Sequence, residues 1–339
     1  MCFKKLINFF YTLIIRIFVF CKEWYYNIKT GHIGHKTIVR RTGEFKREKM
    51  KISKFIRDNI LFSKPVHIID KTGFFRKILV SEAFHSGHKM VKSDSKKYIP
   101  GFIKYYNINM SDFEPEDYNK YESFNDFFTR KLNKNSRPIS GINNKKIITS
   151  AADCRLTVFN NIDEAKKLWI KGKEFTLSKL IQDEQLSKDF IGGSIASFRL
   201  SLQDYHHYHS PIEGIIESWK SIPGTYFGVN PFLVNSDLDI LGTNARCVIV
   251  IKSSIWGKML FIPIGAELVG SVNLTDNVKN KGKIKKGEEI GMFSYGGSNI
   301  IIVFEKGKMQ WDDDIEKNSK KLIETDILVG ETIGSLCEK

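Results

Sequence analysis

The 339-residue sequence lacks the cysteine patterns of disulfide scaffolds and zinc sites. Its five cysteines are odd in number and scattered from Cys2 to Cys337, and no Cys-x-x-Cys pair occurs. Zinc knuckles and the aromatic signature of RNA-binding domains are absent as well. The formal net charge of +15 therefore favours an anionic membrane surface, and not nucleic acid, as the polyanionic partner.

The N-terminal apolar segment is shorter than the run of about 20 residues that a spanning helix uses. It covers residues 6–21 and is interrupted by Asn8 and Arg16. Its polar residues form a narrow stripe on a helical wheel, and three aromatic residues follow it. We expect residues 1–26 to form a membrane anchor, either an amphipathic helix in the membrane plane or a short spanning helix. No small-x-small site follows, which disfavours a cleaved signal peptide.

The rest of the chain divides into three segments by charge and periodicity. Residues 27–51 are basic and turn-rich, which indicates a basic linker or a peripheral strand pair that adds to the membrane-facing charge. Residues 52–135 return apolar side chains every three or four positions, which predicts a helical region. Residues 136–339 hold short β-branched and aromatic runs such as "GSIASFRLS", "RCVIVIKSS" and "KMLFIPIGA". The predicted fold class is α+β, with the helical region packed on a mostly antiparallel β core that resembles a sandwich or partly closed barrel.

Three of the eight histidines, His206, His207 and His209, fall within "LQDYHHYHSPIEG". On a strand they would alternate between faces, whereas on a turn they could converge. With a carboxylate such as Asp153 they could hold zinc or iron, or they could be ordinary hydrogen-bonded histidines. The residues alone leave both interpretations open.

The stretch "MFSYGGSNIIIVFEKG" places two glycines and Ser298 between two strand-like runs. A hairpin turn is the simplest interpretation, because glycine and asparagine tolerate positive φ. A Gly-x-Ser-x-Gly nucleophile elbow is excluded, because Ile300 stands where its second glycine is needed. Asp153 follows a strand-like run as a turn former would, yet an aspartate, a histidine and a serine are also the three types of a nucleophilic triad.

Several motifs occur together in the order and approximate spacing seen in one family. They are "SAAD", "RLSLQDYHHYHSPIEG", "GTYFGVNP", "NARCVIVI", "PIGAELVGSV" and "KGEEIGMFSYGGS". From about residue 70 to residue 335 the chain resembles the phosphatidylserine decarboxylases, and "YESFNDFFTRKLNKNSRPI" is similar to their N-terminal signature. The Gly-Gly-Ser form resembles that of the clostridial-like, type II branch of the family.

The resemblance implies a proenzyme that cuts itself between Gly297 and Ser298. The products would be a β chain of residues 1–297 and an α chain of residues 298–339. Ser298 would become the pyruvoyl group, which serves as a covalent cofactor and electron sink.

The resemblance also implies a role for each site residue. His209 would be the base that takes the Ser298 proton, and Asp153 would orient it. His206 would assist the decarboxylation, and no metal is expected. Asn299 stands where threonine usually follows the serine, so we expect an altered rate of maturation.

The implied function is pyruvoyl-dependent decarboxylation of phosphatidylserine to phosphatidylethanolamine and carbon dioxide. The expected partners are phosphatidylserine, an anionic membrane surface and the chain's own α and β pieces, with no nucleic acid; a homodimer is one of the open oligomeric states. The location would be an endomembrane in a eukaryote or the plasma membrane in a bacterium. Two alternatives are a metal-dependent hydrolase using His206, His207 and His209, and a lipid-binding homologue without activity.

Overall fold

The computed structural model describes part of the chain, namely residues 35–49, 88–168, 176–226, 229, 239–266 and 272–337. The predicted anchor, residues 27–34 and 50–51 of the predicted linker and residues 52–87 of the predicted helical region lie outside these residues. The chain divides into two compact units, one of residues 1–37 and 45–79 and a larger one of residues 38–44 and 80–339. Among the described residues, no helix has the length and apolar character needed to cross a bilayer.

The described strands are short and rich in β-branched and aromatic residues, as the sequence pattern predicts. They are β1 (Lys36–Val39), β2 (Phe45–Arg47), β3 (Phe113–Glu114), β4 (Lys131–Leu132), β5 (Ile147–Thr149), β6 (Cys154–Phe159), β7 (Ile195–Leu200), β8 (His207–His209), β9 (Gly214–Ile222), β10 (Arg246–Ser253), β11 (Gly257–Ala266), β12 (Val272–Leu274), β13 (Lys283–Ile284), β14 (Glu289–Phe293), β15 (Gly297–Phe304), β16 (Met309–Trp311), β17 (Glu324–Ile327) and β18 (Thr332–Leu336).

The large sheet of the larger unit contains the strands in the order β13-β9-β10-β11-β15-β7-β6-β17. Each neighbouring pair in this order is antiparallel. Smaller sheets have the orders β12-β14-β8, β16-β18-β5 and β3-β4. The antiparallel α+β class is confirmed. The order is linear, so the described strands close no barrel, and the barrel-like part of the prediction is wrong for them.

One hydrophobic core joins the large sheet to the two three-stranded sheets. Phe261 and Ile302 from the large sheet share it with Phe293 of β14 and with Trp311 and Ile333 of the other small sheet. Alternate residues of β15 enter this core, as the two-residue period of a strand requires. The small sheets therefore lie over one face of the large sheet, in a sandwich-like layering.

The helices are short. They are α1 (Ile99–Tyr106), α2 (Phe124–Phe128), α3 (Ile162–Leu168), α4 (Leu177–Ile181), α5 (Glu184–Lys188), α6 (Ile240–Thr243), α7 (Asp276–Lys279) and α8 (Asp313–Lys320). Helix α2 begins after Ser123, whose hydroxyl accepts a hydrogen bond from the Asp126 amide at 3.1 Å.

An aromatic cluster forms around α2. Phe124, Phe127 and Phe128 are buried in it, and Leu202 and Tyr295 pack at its edge. This packing sets α2 against the segment that leads into β15.

Candidate active site

Ser298 is the second residue of β15 and is fully buried. Its backbone lies between Leu200 of β7 and Gly265 of β11. Two residues earlier, Gly296 has φ of 154°, a conformation that side-chain-bearing residues rarely adopt. The two glycines of the Gly-Gly-Ser motif therefore bring the chain into the central strand with the serine hydroxyl inside the protein.

His206 is the histidine that contacts this serine. Its Nδ1 atom lies 3.3 Å from the Ser298 Oγ atom, and its Nε2 atom lies 3.1 Å from the Ser201 carbonyl oxygen. A carbonyl only accepts, so Nε2 carries the proton and Nδ1 accepts from the serine hydroxyl. Burial, followed by the positive charge of Arg130, lowers the pKa of His206 to about 3, so the ring is neutral at physiological pH.

Helix α2 covers this contact. The Phe128 ring lies on the His206 ring with 3.9 Å between centroids, and Tyr295 meets Phe124 and Phe128 edge-on at 5.2 and 5.1 Å. The Asn125 side-chain oxygen accepts from the Tyr295 amide at 2.9 Å. The segment before the Gly-Gly-Ser motif is therefore packed against α2 and hydrogen-bonded to it.

His209 lies three residues after His206 but has different neighbours. Its Nδ1 atom donates to the Gly287 carbonyl at 2.9 Å, and its Nε2 atom accepts from the Tyr205 hydroxyl at 3.0 Å. Among the described residues His209 makes no hydrogen bond to Ser298 or Asp153. Burial lowers the pKa of His209, although the Gly287 hydrogen bond and nearby carboxylates oppose that effect.

Asp153 sits just before β6 and is bound by a cation. The Arg137 guanidinium donates to its carboxylate, with 2.9 Å from Nη2 to Oδ2, and the Val329 amide donates to Oδ1 at 2.8 Å. Its influence on His209 is through charge, since Asp153 is among the groups that raise the pKa of His209. The structure therefore brings Ser298 and His206 into contact and leaves the Asp153 and His209 side chains hydrogen-bonded elsewhere.

His207 completes the histidine motif and hydrogen-bonds to neither Ser298 nor Asp153 among the described residues. Its Nδ1 atom lies 2.9 Å from Glu289 Oε1, and its Nε2 atom lies 2.9 Å from the Thr129 carbonyl. The three histidines thus have separate partners. Within the ranges that the structure describes, no group of three or more His, Cys, Asp or Glu side chains is arranged to hold a metal ion. The metal-hydrolase alternative gains no support from these residues.

Asn299 points to the opposite face of β15 from Ser298 and is fully buried. Its Oδ1 atom accepts from the Ser197 hydroxyl at 3.0 Å. Its Nδ2 atom has no hydrogen-bond partner among the described residues. Asn299 therefore leaves one buried donor unsatisfied next to Ser298, which is a cost in stability.

Sequence reasoning missed the groups that orient the two histidines. The Ser201 and Gly287 carbonyls are backbone atoms, and no residue type marks them in advance. Tyr205 could have been identified from the sequence, because a tyrosine inside a histidine motif can donate a hydrogen bond to a ring nitrogen. Gly287 has φ of 79° with the Ile139 side chain close to where a Cβ would stand, which makes glycine the residue that fits.

Comparison with known proteins identifies the family of this chain. The phosphatidylserine decarboxylase family profile matches residues 124–335. Phosphatidylserine decarboxylase proenzyme 2 of Komagataella phaffii is 39% identical over 305 residues, which are 88% of this chain and 30% of that protein.

Bacterial relatives are matched along most of their length. The phosphatidylserine decarboxylase proenzymes of Fusobacterium nucleatum and Clostridium novyi are each 36% identical, over 88% and 84% of this chain. These matches cover 96% and 95% of the bacterial proteins, whereas the chain spans under a third of the Komagataella protein. The chain belongs to the phosphatidylserine decarboxylase family.

Proposed function

We propose that the chain is the proenzyme of a pyruvoyl-dependent decarboxylase that converts phosphatidylserine to phosphatidylethanolamine and carbon dioxide. The observation that carries this proposal is the buried contact between Ser298 Oγ and His206 Nδ1, directly after two glycines. A serine at the start of a central strand with its hydroxyl held by a neutral imidazole is prepared for proton transfer. The names of the relatives supply the substrate.

The first stage is self-cleavage at the Gly297–Ser298 bond. A base removes the Ser298 hydroxyl proton, and the oxygen attacks the Gly297 carbonyl carbon. The carbon–nitrogen bond breaks and the peptide becomes an ester with a free amine on residue 298. Removal of the residue 298 Cα proton then breaks the Cβ–Oγ bond, which releases Gly297 as a carboxylate. The remaining dehydroalanine takes up water and loses ammonia, leaving a pyruvoyl group.

Contact and electrostatics favour different histidines as the base. His206 touches the serine, yet burial holds its pKa at about 3 and the Arg130 charge opposes its protonation. The negative charges of Glu289 and Asp153 instead favour the protonated form of His209. A base works best when its pKa is near the working pH.

We therefore assign the cleavage base to His209, with Asp153 supporting its charge. This assignment requires the His209 ring to exchange its Tyr205 hydrogen bond for one to Ser298. The Ser298 hydroxyl is meanwhile oriented by His206.

The same position fits the second stage. The pyruvoyl group would derive from Ser298 itself and would supply the electron sink for loss of carbon dioxide from an amine-bearing substrate. His206 Nδ1 is directed at residue 298, so His206 is placed to hold or deliver a proton there. Helix α2 and its aromatic residues keep bulk water from this side of the site.

The membrane part of the function concerns residues 1–51, of which the structure describes residues 35–49. We propose that residues 1–26 anchor the protein and that the basic linker 27–51 adds attraction to anionic lipid. A charge of +15 suits a surface that carries phosphatidylserine. The N-terminal 297 residues would stay associated with the α chain, because β15 lies between β11 and β7 in the large sheet.

The experiment is the intact mass of the purified protein, with a denaturing gel beside it. The wild type is expected as two pieces, and the residue 298–339 piece should have an amino terminus blocked to Edman chemistry. Ser298→Ala is expected as one chain without decarboxylase activity. A wild type that decarboxylates phosphatidylserine as a single uncut chain would overturn the proposal.

A further inference from the structure

Two buried arginines hold the turn between β7 and His206. Arg155 Nη1 donates to both carboxylate oxygens of Asp204, at 3.1 and 2.9 Å. Arg130 Nη2 donates to the Gln203 carbonyl at 2.6 Å and to the Asp204 carbonyl at 3.2 Å. We call this turn, residues 201–204, the histidine turn. The Asp204 side chain is thus bound by Arg155, and the backbone of the turn is bound by Arg130.

Inside the histidine turn, Ser201 and Asp204 bind each other twice. The Ser201 amide donates to Asp204 Oδ2 at 2.7 Å, and the Asp204 amide donates to the Ser201 carbonyl at 2.9 Å. That same carbonyl accepts from His206 Nε2 at 3.1 Å. The Asp204 carboxylate therefore binds the amide of Ser201, and the carbonyl of the same residue fixes the tautomer of His206.

The histidine turn also connects the two faces of the large sheet. Arg155 lies on the face of β6 opposite to Cys154 and Leu156, which enter the main core. Ser298 lies on the core face of β15, as Ile300 does. The turn therefore bonds to Arg155 on one face of the sheet and to His206, the partner of Ser298, on the other.

We propose that Asp204 and Arg155 are positioning residues whose ion pair keeps the Ser201 carbonyl in place and so directs the His206 Nδ1 lone pair at residue 298. The inference deepens the proposed function and rests on it. Without the carbonyl, the two neutral tautomers of an imidazole compete. The competing tautomer carries its proton on Nδ1, and it would offer Ser298 a donor where an acceptor is needed.

The charge of Asp204 is itself sensitive to pH. Burial raises the pKa of Asp204 to about 6, although Arg155 opposes the rise. Asp326 of β17 and Asp153 raise the pKa of Asp204 further, whereas the Ser201 amide and the positive charge of Arg130 oppose the rise. Asp204 is ionised above about pH 6 and neutral below, so its bonds to Arg155 and to the Ser201 amide weaken as the pH falls.

The chain offers a matched control in Arg199 and Glu324. This pair is also buried, with side chains 7% exposed on both partners against 6% and 9% for Arg155 and Asp204. Arg199 Nε donates to Glu324 Oε1 at 2.8 Å. Glu324 makes no hydrogen bond to the histidine turn within the described residues. Glu324→Gln therefore removes a comparable buried charge without touching the turn.

The first test uses the uncut Ser298→Ala protein labelled with 15N-histidine. Ring-nitrogen NMR shifts report which nitrogen of His206 carries the proton. We expect the Nε2–H tautomer alone in the parent and in the added Glu324→Gln variant, and a mixture of tautomers after Asp204→Asn. A single Nε2–H tautomer after Asp204→Asn would overturn the inference, even if that variant were less stable.

The second test measures self-cleavage in a cell-free translation chase, diluted into buffers of different pH. Asp204→Asn should slow cleavage by roughly 10- to 100-fold, the effect of misplacing a group at a reacting centre. The part of the decline near pH 6 that comes from protonation of Asp204 should be present in the wild type and in Glu324→Gln and absent in Asp204→Asn, where only the decline caused by protonation of His209 remains. Arg155→Lys, which keeps the charge, should recover part of the rate.

The outcomes separate this inference from the function on which it rests. Cleavage of Asp204→Asn at the wild-type rate with an unchanged pH profile would overturn the positioning role alone. Cleavage of Ser298→Ala would instead overturn the proposed function. An equal loss in Glu324→Gln and Asp204→Asn would show general destabilisation and would also reject the positioning role.

Discussion

His206 and His209 belong to one short motif, and in both a ring nitrogen donates a hydrogen bond to a backbone carbonyl. The donating nitrogen differs between the two rings. His206 is buried and His209 is half-buried. In His206 the donor is Nε2 and the accepting nitrogen, Nδ1, faces Ser298; in His209 the donor is Nδ1 and the accepting nitrogen, Nε2, faces Tyr205. The choice of backbone carbonyl thus decides which side of an imidazole is available for chemistry.

Their surroundings differ in charge as well as in hydrogen bonding. The Arg130 guanidinium opposes protonation of His206, whereas Glu289 and Asp153 favour protonation of His209. The charge nearest His206 therefore opposes a proton on that ring, whereas the carboxylates near His209 favour one there. One sequence motif supplies both a neutral hydrogen-bond acceptor and a group better able to keep a proton.

The largest expected effect comes from replacing each histidine in turn, because we assign His209 to self-cleavage and His206 to decarboxylation. His209→Ala should remain mostly uncut, because loss of a general base costs about 10²- to 10⁴-fold in rate. His206→Ala should still be cut, more slowly by the roughly 10- to 100-fold expected for a hydroxyl that has lost its orienting partner, and once cut it should lose decarboxylation by about 10²- to 10⁴-fold. Densitometry of the two pieces reports the first stage, and carbon dioxide release per cut molecule reports the second.

The opposite pattern would break this comparison. If His206→Ala stayed uncut while His209→Ala matured, the contact seen at Ser298 would identify the base and the electrostatic assignment would be wrong. His207→Gln serves as a control, because His207 bonds to Glu289 and Thr129 and not to residue 298.

A smaller effect is expected from the carboxylate near His209. Asp153→Asn removes a charge that favours protonated His209, so cleavage should slow by roughly 10- to 100-fold. It also leaves Arg137 with Asp112 as its remaining carboxylate partner, which should lower the free energy of unfolding by about 1–3 kcal/mol. Cleavage kinetics and urea unfolding measure the two effects separately.

Asp112→Asn is the matched variant for this prediction. It removes the other carboxylate on Arg137, at a site where the Asp112 side chain is 33% exposed. The expected stability loss is below about 1 kcal/mol, and the cleavage rate should stay at the wild-type value. Equal slowing in both variants would mean that Arg137, and not the charge of Asp153 on His209, controls cleavage.

The sequence supported the α+β class and the central strands for a physical reason. Runs such as "RCVIVIKSS" and "KMLFIPIGA" are apolar on both faces, and they form β10 and β11, which are buried on both faces. Closure was not predictable, because a strand pattern records which residues are buried and not which strands pair at the ends of a sheet. The barrel-like expectation failed at that level.

At the site, the sequence identified the reactive residue types, but it did not predict the orientation of their side chains. Ser298 and the histidine motif carry distinctive residue types, so the sequence identified them as candidates. Their hydrogen bonds depend on the Ser201 and Gly287 carbonyls, whose positions follow from local backbone geometry. Sequence alone therefore gave no reason for His206 and not His209 to face Ser298.

The third prediction compares the two histidines through the pH dependence of the protein's stability. Uncut Ser298→Ala protein should become less stable as the pH falls from about 6.5 towards 3. The unfolded chain binds a proton at position 206 in this window and the folded chain does not, because the folded pKa is lowered to about 3 from the ordinary 6.5. The slope for one such group is about 1.4 kcal/mol per pH unit.

Urea unfolding at several pH values measures this slope. His206→Asn in the same background should flatten it more than His209→Asn does, because the carboxylates near His209 oppose the lowering of its pKa. A larger flattening in His209→Asn would contradict this comparison.

The smallest effect is expected from Tyr205, which occupies the accepting nitrogen of His209. Burial raises the pKa of Tyr205, so its hydroxyl keeps its proton and donates to His209 Nε2 at 3.0 Å. Tyr205→Phe removes this competitor and leaves Nε2 available to the Ser298 hydroxyl. Cleavage should therefore become faster by roughly two- to tenfold, the rate equivalent of a net hydrogen bond of about 0.5–1.5 kcal/mol.

Tyr208→Phe is the control for this change, because the buried Tyr208 hydroxyl donates to the Asn273 carbonyl and to neither histidine. It should lose a comparable hydrogen bond without a change in cleavage rate. If Tyr205→Phe slowed cleavage while Tyr208→Phe did not, the Tyr205 hydroxyl would be orienting His209 for the reaction and not competing with it. The two histidines would then share one more property, since each would need a fixed partner on both ring nitrogens before residue 298 could react.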